Sequence, residues 1–209
     1  MGGTILWDVD TQVDFIEPGG KLYFLGAEKA RPAMEHLVEA ARAAGVVHVA
    51  STDQHELSDP EISEEPDFDV TWPPHCLLGT RGAEKIPETK QLDPVPLPLV
   101  PVPHAILHRL LDGRREMLIP KKHYDPFMNP NAETLLDFLD PDEILLFGVA
   151  TEICDDSAVR ALLRRDRRIV FVEDAARGVD ESRAAACVEA WRERGVRTTT
   201  AEEAARSLG

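Results

Sequence analysis

Short apolar runs alternate with helical patterns along this chain of 209 residues. Six of the runs have the length and the flanking turn residues that are typical of buried strands. They cover 4–9, 46–51, 117–120, 144–147, 169–172 and 196–200. Strands that are joined through helices pair in parallel by right-handed crossovers. We therefore predict an α/β fold: a three-layer, doubly wound sheet of about six mostly parallel strands with helices on both faces.

The length of the chain suits one well-buried domain and is marginal for two. No internal repeat and no convincing linker divides the sequence, so we predict a single domain over residues 1–209. A proline-rich excursion interrupts the alternation at 92–113. Its prolines exclude a central strand and indicate an extended surface segment, which a short helix over 104–112 follows.

The charge and the cysteines of the chain exclude several classes of protein. The formal net charge is −15, so the chain repels nucleic acid and anionic membranes. No apolar run approaches the roughly 20 residues that span a bilayer. Cys76, Cys154 and Cys187 form no close pair in the sequence, which fits a reducing compartment. We expect a cytoplasmic protein that binds neither nucleic acid nor membrane.

Cys154 is the first candidate for chemistry. It follows the predicted strand 144–147, and Thr151 in front of it has the character of a helix N-cap. Cys154 would then lie in the first helical turn, where the helix dipole favours a thiolate. A free cysteine is more often a small buried apolar residue, and position alone leaves that alternative open.

Four successive strands of the predicted sheet end in polar residues. They are Asp10, Asp53 followed by His55, Lys121, and Cys154. Ligands of open α/β sheets bind beyond the carboxyl ends of the strands, so we expect these residues to share one rim. A carboxylate can take the proton of a thiol, and an ammonium can stabilise the thiolate. Taken singly, each residue favours a simpler interpretation: Asp10 as an aspartate that merely ends a strand, and Lys121 as a solvated surface lysine.

Asp53, His55 and His75 have the residue types and spacing of a metal site. Imidazole and carboxylate groups are ligands of zinc and other transition metals, and three of them leave positions open for water or substrate. Glu61 lies between them in the sequence and is a further candidate ligand, directly or through a water. The alternative is a chance grouping of two surface histidines and a turn aspartate.

Several stretches of the chain together resemble one family. They are 10–15, 53–55, 72–76, 121–127 and 148–154. In this order they are similar to the isochorismatase-like cysteine hydrolases, and within that family to the nicotinamidases. The resemblance runs from about Ile5 to Thr200, which is nearly the whole chain. Lys121 rather than Lys122 matches the family lysine, because it stands three residues before Tyr124.

The resemblance implies roles for the residues at the rim. The catalytic triad would be Asp10, Lys121 and Cys154. The N–H groups of Ala150 and Cys154 would form an oxyanion hole, with a cis peptide bond between Val149 and Ala150. The metal ligands would be Asp53, His55 and His75, and the substrate pocket would contain Phe15, Trp72 and Tyr124.

The resemblance further implies a cofactor and an activity. The cofactor would be a divalent metal, zinc above iron or manganese. Glu61 stands where many nicotinamidases carry another histidine, which could alter the metal or the substrate. The activity would be a metal-dependent amidohydrolase reaction that releases ammonia from a small-molecule amide through a thioester, cleaving a linear C–N bond. A homo-oligomer is a further expectation.

Two alternative functions stay open at this point. One is a related hydrolase reaction on carbamoyl or ureide compounds or on isochorismate. The complete set of metal ligands argues against isochorismate, because cleavage of that vinyl ether needs neither cysteine nor metal. The other alternative is a metal-binding or partner-binding protein that has lost turnover.

Overall fold

Seven parallel strands form the central sheet of the structure, a computed structural model that describes residues 2–209. The strands are β1 (Thr4–Val9), β2 (Val47–Asp53), β3 (Val95–Pro96), β4 (Glu116–Lys121), β5 (Glu143–Gly148), β6 (Ile169–Val172) and β7 (Arg197–Thr199). Their order in the sheet is β3-β4-β2-β1-β5-β6-β7, and every pair of neighbours is parallel. The predicted doubly wound α/β fold is confirmed.

Helices cover both faces of this sheet. They are α1 (Val13–Ile16), α2 (Arg31–Ala43), α3 (His104–Leu111), α4 (Ala132–Leu139), α5 (Asp156–Leu163), α6 (Glu181–Glu193) and α7 (Ala201–Leu208). Side chains alternate between the two faces of a strand, so alternate residues pack into two hydrophobic cores, one on each face of the sheet. Trp7 of β1 packs in the core that contains residues of α3 to α6. Its neighbour Leu6 packs in the opposite core, with residues of α1, α2 and α7.

The strand that the sequence analysis missed is β3, a two-residue strand at the edge of the sheet. It lies in the proline-rich excursion, and Leu97 N–H donates to Leu118 O just beyond it. An edge strand tolerates proline because one side of it needs no ladder hydrogen bonds. The prolines therefore correctly excluded a central strand, but the prediction of an extended surface segment overlooked this edge strand.

The strand order fixes where a site can form. From β1 the chain builds one half of the sheet, and from β5 it builds the other half. β1 and β5 are neighbours, with Val9 opposite Gly148 in the parallel register. A ligand site is expected beyond the carboxyl ends at such a switch point. Asp10 follows β1 there, and Cys154 follows β5. Among residues 2–209, no helix combines the length and the apolar character needed to cross a membrane.

Gly148 allows β5 to approach β1 closely at this point. Its φ is +146°, and a Cβ atom at this position would lie 2.1 Å from the carbonyl oxygen of Val9. We expect Gly148→Ala to destabilise the protein by more than the roughly 1–2 kcal/mol that the backbone conformation alone costs, because the contact with β1 would also have to change.

Gly113 provides the matched control for Gly148. It also has a positive φ, +71°, but no heavy atom lies within 4 Å of a Cβ built there. Gly113→Ala should show only the cost of the left-handed conformation, about 1–2 kcal/mol. Urea denaturation would measure both changes, and a smaller loss for Gly148→Ala than for Gly113→Ala would contradict the steric argument.

Candidate active site

Strand ends deliver four buried polar side chains to one place on the rim of the sheet. Asp10 follows β1, Asp53 ends β2, and Lys121 ends β4, where it lies opposite Asp53 in the parallel register. Cys154 follows β5. All four residues are buried. The structure therefore brings together the residues that the sequence placed at this rim.

The Lys121 ammonium is the centre of the group. Its Nζ atom lies 2.7 Å from Asp10 Oδ2 and 3.8 Å from Cys154 Sγ, and it also donates to Asp53 Oδ1. Burial opposes a charged lysine, but the carboxylates of Asp10 and Asp53 hold the pKa of Lys121 well above its ordinary value. Lys121 is therefore a cation, although the residue is only 1% exposed.

The turn that carries Cys154 differs from the predicted one. We expected Thr151 to cap a helix that contains Cys154, but Thr151–Asp155 form a π-helical turn and α5 begins only after it. The Thr151 side chain caps nothing. Instead, the carbonyl oxygen of Ala150 opens the turn and accepts from Asp155 N–H at 3.1 Å. The prediction of Thr151 as an N-cap is wrong, because a main-chain carbonyl takes the place of the side chain.

The surroundings of Cys154 favour its protonated form. Burial raises the pKa of Cys154 well above its ordinary value, the Lys121 ammonium acts in the opposite direction, and Asp10 and Asp53 raise the pKa further. The α-helix terminus that was expected to favour a thiolate does not form around Cys154. The resting group is therefore a thiol that needs a proton acceptor. An oxygen of Asp10 and one of Asp53 lie within 4.8 Å of Sγ.

The two carboxylates beside Cys154 have different proton affinities. Burial raises the pKa of Asp10, the Lys121 charge lowers it and the Asp53 charge raises it, so that it ends above its ordinary value. Asp53 is also buried, but Lys121 and two histidines hold the pKa of Asp53 well below its ordinary value. Ser51 Oγ donates to Asp10 Oδ1 at 2.7 Å and fixes its orientation. Asp10 is therefore the better proton acceptor, whereas Asp53 keeps its charge.

Asp53 is shared between this group and a set of metal-ligand atoms. One atom each of Asp53, His55 and His75 lies within 4.8 Å of the other two. Asp53 Oδ2 is 3.9 Å from His55 Nε2 and 3.7 Å from His75 Nε2. The outer nitrogens of both rings have other partners: His55 Nδ1 lies 3.4 Å from Asp59, and His75 Nδ1 lies 2.8 Å from the Pro73 carbonyl oxygen.

The donor set fits a divalent transition metal. His55 Nε2 is buried and has no hydrogen-bond partner within residues 2–209, as expected of an atom reserved for a ligand. Its ring and that of His75 are held through their outer nitrogens, the usual second layer around metal-binding histidines. These residues could hold a zinc ion or a similar metal.

Glu61 lies beside this set but outside the group of mutually close atoms. The residue is buried, and Oε2 has no hydrogen-bond partner among the described residues. Burial and the charge of Asp53 raise the pKa of Glu61 to about 7. The structure therefore places a second carboxyl group next to Asp53.

A cavity with about 310 Å³ of empty volume opens onto Cys154 and Asp53. Phe15, Trp72 and Tyr124, the residues that the resemblance assigns to a substrate pocket, line it. The sequence analysis missed Leu22, Phe24 and Ile153. Leu22 and Phe24 could have been suggested by their apolar character just after the Gly19–Gly20 turn, and Ile153 by its position next to Cys154. Val149 and Ala150 complete the wall, and the peptide bond between them is cis, as the resemblance implies.

A second layer of side chains holds the rim in place, and the sequence analysis did not identify it. The Gln12 side chain accepts from Asp53 N–H at 2.7 Å and donates to Asp53 O at 2.8 Å. On the other side of Asp10, the buried Asp8 carboxylate binds Thr11 Oγ1 at 2.8 Å and Lys85 Nζ at 2.5 Å. The residues on either side of Asp10 are therefore anchored, and one of them also fixes Asp53.

Comparison with known proteins agrees with this geometry. The family model of the isochorismatase domain matches residues 4–203. The chain belongs to the isochorismatase family. Its resemblance to the isochorismatase-like hydrolases is therefore confirmed, and so is the prediction that it is a hydrolase.

Two curated proteins and one solved structure are similar to this chain. Nicotinamidase/pyrazinamidase from Mycobacterium tuberculosis is 30% identical over 189 residues, which are 88% of this chain and 91% of that protein. Ureidoacrylate amidohydrolase from Azorhizobium caulinodans is 27% identical over 173 residues, 80% of this chain and 73% of that protein. Pyrazinamidase from Pyrococcus horikoshii, solved in complex with zinc, has a TM-score of 0.70 at 22% identity and covers 94% of this chain and 98% of its own.

The adjacent lysines Lys121 and Lys122 offer a matched test of the buried ion pairs. Lys121→Met would leave the carboxylates of Asp10 and Asp53 buried side by side without a cation, and we expect a loss of about 3–5 kcal/mol in stability. The Lys122 side chain is 39% exposed and pairs with Asp59, so Lys122→Met should cost less than about 1 kcal/mol. Chemical denaturation would measure both losses, and equal losses would contradict the central position of Lys121.

Proposed function

We propose that this protein is a metal-dependent cysteine amidohydrolase that releases ammonia from a small amide. The observation that carries the proposal is the grouping of Asp10, Lys121 and Cys154 at a small cavity that also contains Asp53 and His75. A thiol, a proton acceptor and a fixed cation are the parts that acyl transfer through a thioester needs.

The reaction would begin with transfer of the Cys154 proton to Asp10. The Cys154 sulfur then attacks the amide carbon, and the tetrahedral intermediate carries a negative oxygen. The N–H groups of Ala150 and Cys154 would stabilise this oxygen. The C–N bond breaks as Asp10 returns its proton to the nitrogen, and ammonia leaves. Finally a water molecule, deprotonated by Asp10, attacks the thioester, and Cys154 recovers its proton as the acid is released.

The electrostatics of the site support this proton path. The pKa of Cys154 is raised, mainly by burial, and so is the pKa of Asp10, which makes Asp10 a better base than an ordinary aspartate. The Lys121 ammonium, 3.8 Å from Sγ, stabilises the thiolate that forms during transfer. Because its proton is held between two carboxylates, Lys121 acts in this scheme as a fixed charge.

Asp53, His55 and His75 would hold the metal, with Glu61 as a further ligand, directly or through a water. When bound, a divalent metal supplies Lewis-acid binding for a ring nitrogen or for a water beside the substrate. The orphaned Nε2 of His55 supports this assignment, since it has no other use in the described structure. Zinc is the metal we propose, on the chemistry of the donor set.

The aromatic cavity suits a planar amide. Phe15, Trp72 and Tyr124 would stack on or wall the ring of nicotinamide or pyrazinamide. A second candidate class is carbamoyl or ureide compounds, which the similarity to ureidoacrylate amidohydrolase favours. Both classes use the same thiol and the same proton path. A homo-oligomer stays a prediction from the resemblance.

Replacement of Cys154 tests the proposed nucleophile. We expect Cys154→Ala to lower ammonia release from the preferred amide by at least about 10⁴-fold, because no other group can form the thioester. The metal content, measured by elemental analysis, should stay unchanged. Cys187→Ala, at a half-buried cysteine that does not line the cavity, is the control and should keep full activity. Retained turnover in Cys154→Ala would overturn the mechanism.

A binding measurement tests the metal site without relying on activity. Addition of zinc to metal-free protein should raise the melting temperature, by an amount that corresponds to about 2.7 kcal/mol at a hundredfold excess over Kd. His55→Ala should abolish this shift, whereas Cys154→Ala should keep it. An equal shift in His55→Ala would contradict the proposed ligand set. A protein that binds zinc but whose Cys154 never reacts with iodoacetamide at neutral pH would favour a non-catalytic role.

A further inference from the structure

A second cavity adjoins the active-site cavity. The two share Trp72, Tyr124 and Ile153 as lining residues, so these side chains form the partition between them. The outer cavity, with about 790 Å³ of empty volume, is the larger and is open to solvent, and we call it the outer cleft. A substrate whose amide reaches Cys154 and whose other end is longer than one ring would pass this partition into the outer cleft.

One wall of the outer cleft is aromatic and is built by hydrogen bonds. Trp72 Nε1 donates to Tyr124 Oη at 2.6 Å, and Tyr124 Oη donates to the Asp69 carbonyl oxygen at 3.1 Å. Phe68 packs edge-on against Trp72 at 6.0 Å, yet its side chain remains mostly exposed. This wall offers apolar surface of the kind that lines most ligand pockets.

The opposite wall contributes two arginines. Arg160 of α5 is paired with Asp156 at 2.7 Å. The Arg183 guanidinium forms no hydrogen bond and no ion pair with any residue from 2 to 209. The two arginines, from α5 and α6, line the same cleft.

Arg183 is an exposed residue of α6. It lies in the first turn of the helix, where the N–H of the residue donates to the N-cap carboxylate of Asp180 at 2.9 Å. The helix dipole is positive at this end and disfavours a cation, whereas the charge of the Asp180 carboxylate favours one. With no ion pair in the described structure, the exposed guanidinium of Arg183 is available to an anion.

The carboxylates that line the outer cleft are mostly occupied by other groups. Glu152 accepts from the N–H groups of Val179 and Asp180, at 3.2 and 2.7 Å. Asp156 accepts from Trp191 Nε1 at 2.8 Å in addition to its ion pair. Asp69 lies on an exposed turn. Arg183 is therefore the lining residue whose charge is best available to a ligand.

We propose that the outer cleft binds an anionic group of the substrate through Arg183. This inference rests on the proposed amidohydrolase function and names its substrate class: amides whose acyl chain ends in a carboxylate or a phosphate-like group. The chain has a net charge of −15, so a general attraction for anions does not exist and a local cation is needed to bind one.

Matched substrates can test this proposal. Adipamate and hexanamide have the same chain length, and only adipamate ends in a carboxylate; an ω-phosphono amide of equal length tests the other anion. We expect adipamate or the phosphono amide to have the higher kcat/KM, and Arg183→Gln to reduce that preference about tenfold, as loss of a charged hydrogen bond does. Turnover of hexanamide should stay unchanged. Arg194 is an exposed arginine at the other end of α6 and does not line the cleft. Arg194→Gln should therefore change neither the preference for the anionic amide nor the turnover of hexanamide.

Binding provides a second readout that does not depend on turnover. In the Cys154→Ala background, calorimetry should show that adipamate or the phosphono amide binds more tightly than hexanamide, and that Arg183→Gln removes this difference. Equal binding of anionic and neutral amides, or a difference that survives Arg183→Gln, would overturn the role of the outer cleft. Anion-selective binding without any ammonia release by the parent protein would instead uphold the cleft and refute the proposed function.

Discussion

The ammonium of Lys121, held between the carboxylates of Asp10 and Asp53, is the interaction on which the rim of the sheet depends. It joins the ends of β1, β2 and β4, and it reaches the sulfur that follows β5. Buried charges are costly, and well-packed apolar residues are often as stable as a buried ion pair. A chain that needed only stability would have no reason to keep three charges here. Their cost is understandable if the charges serve chemistry, as the proposed mechanism requires.

Much of this arrangement could be predicted because it follows from topology. In a parallel sheet, the carboxyl ends of all strands lie at the same edge, whatever the order of the connections. Residues as distant in sequence as Asp10 and Cys154 are therefore brought together by the sheet itself. The choice of Lys121 over Lys122 also agrees with the structure, because Lys121 ends β4 with a buried side chain and Lys122, just beyond the strand, is partly exposed. These inferences needed the strand boundaries to within only a residue or two.

The parts that could not be predicted depend on contacts between distant segments. In the sequence, Gln12 resembles an ordinary polar turn residue. Its role is evident only from its hydrogen bonds with the main chain of Asp53. Lys85 pairs with a carboxylate inside β1, and no local pattern indicates a buried partner. The cap predicted at Thr151 failed for a different, local reason, since the main chain after β5 satisfies its own hydrogen bonds. The strand β3 was missed because a proline argues against a central strand but is compatible with an edge strand.

The hydrogen bonds from Gln12 to the main chain of Asp53 have a consequence for how such a protein can diverge. The segment that carries Asp10 also sets the position of a metal-ligand candidate, so a shift that adapts one centre displaces the other. Substitutions that change the substrate preference are therefore expected on surfaces that contact neither the catalytic group nor the metal-ligand set. The first turn of α6, where Arg183 lines the outer cleft, is such a surface. Relatives with different substrates should differ most there, while the residues at the carboxyl ends of the strands should stay nearly invariant.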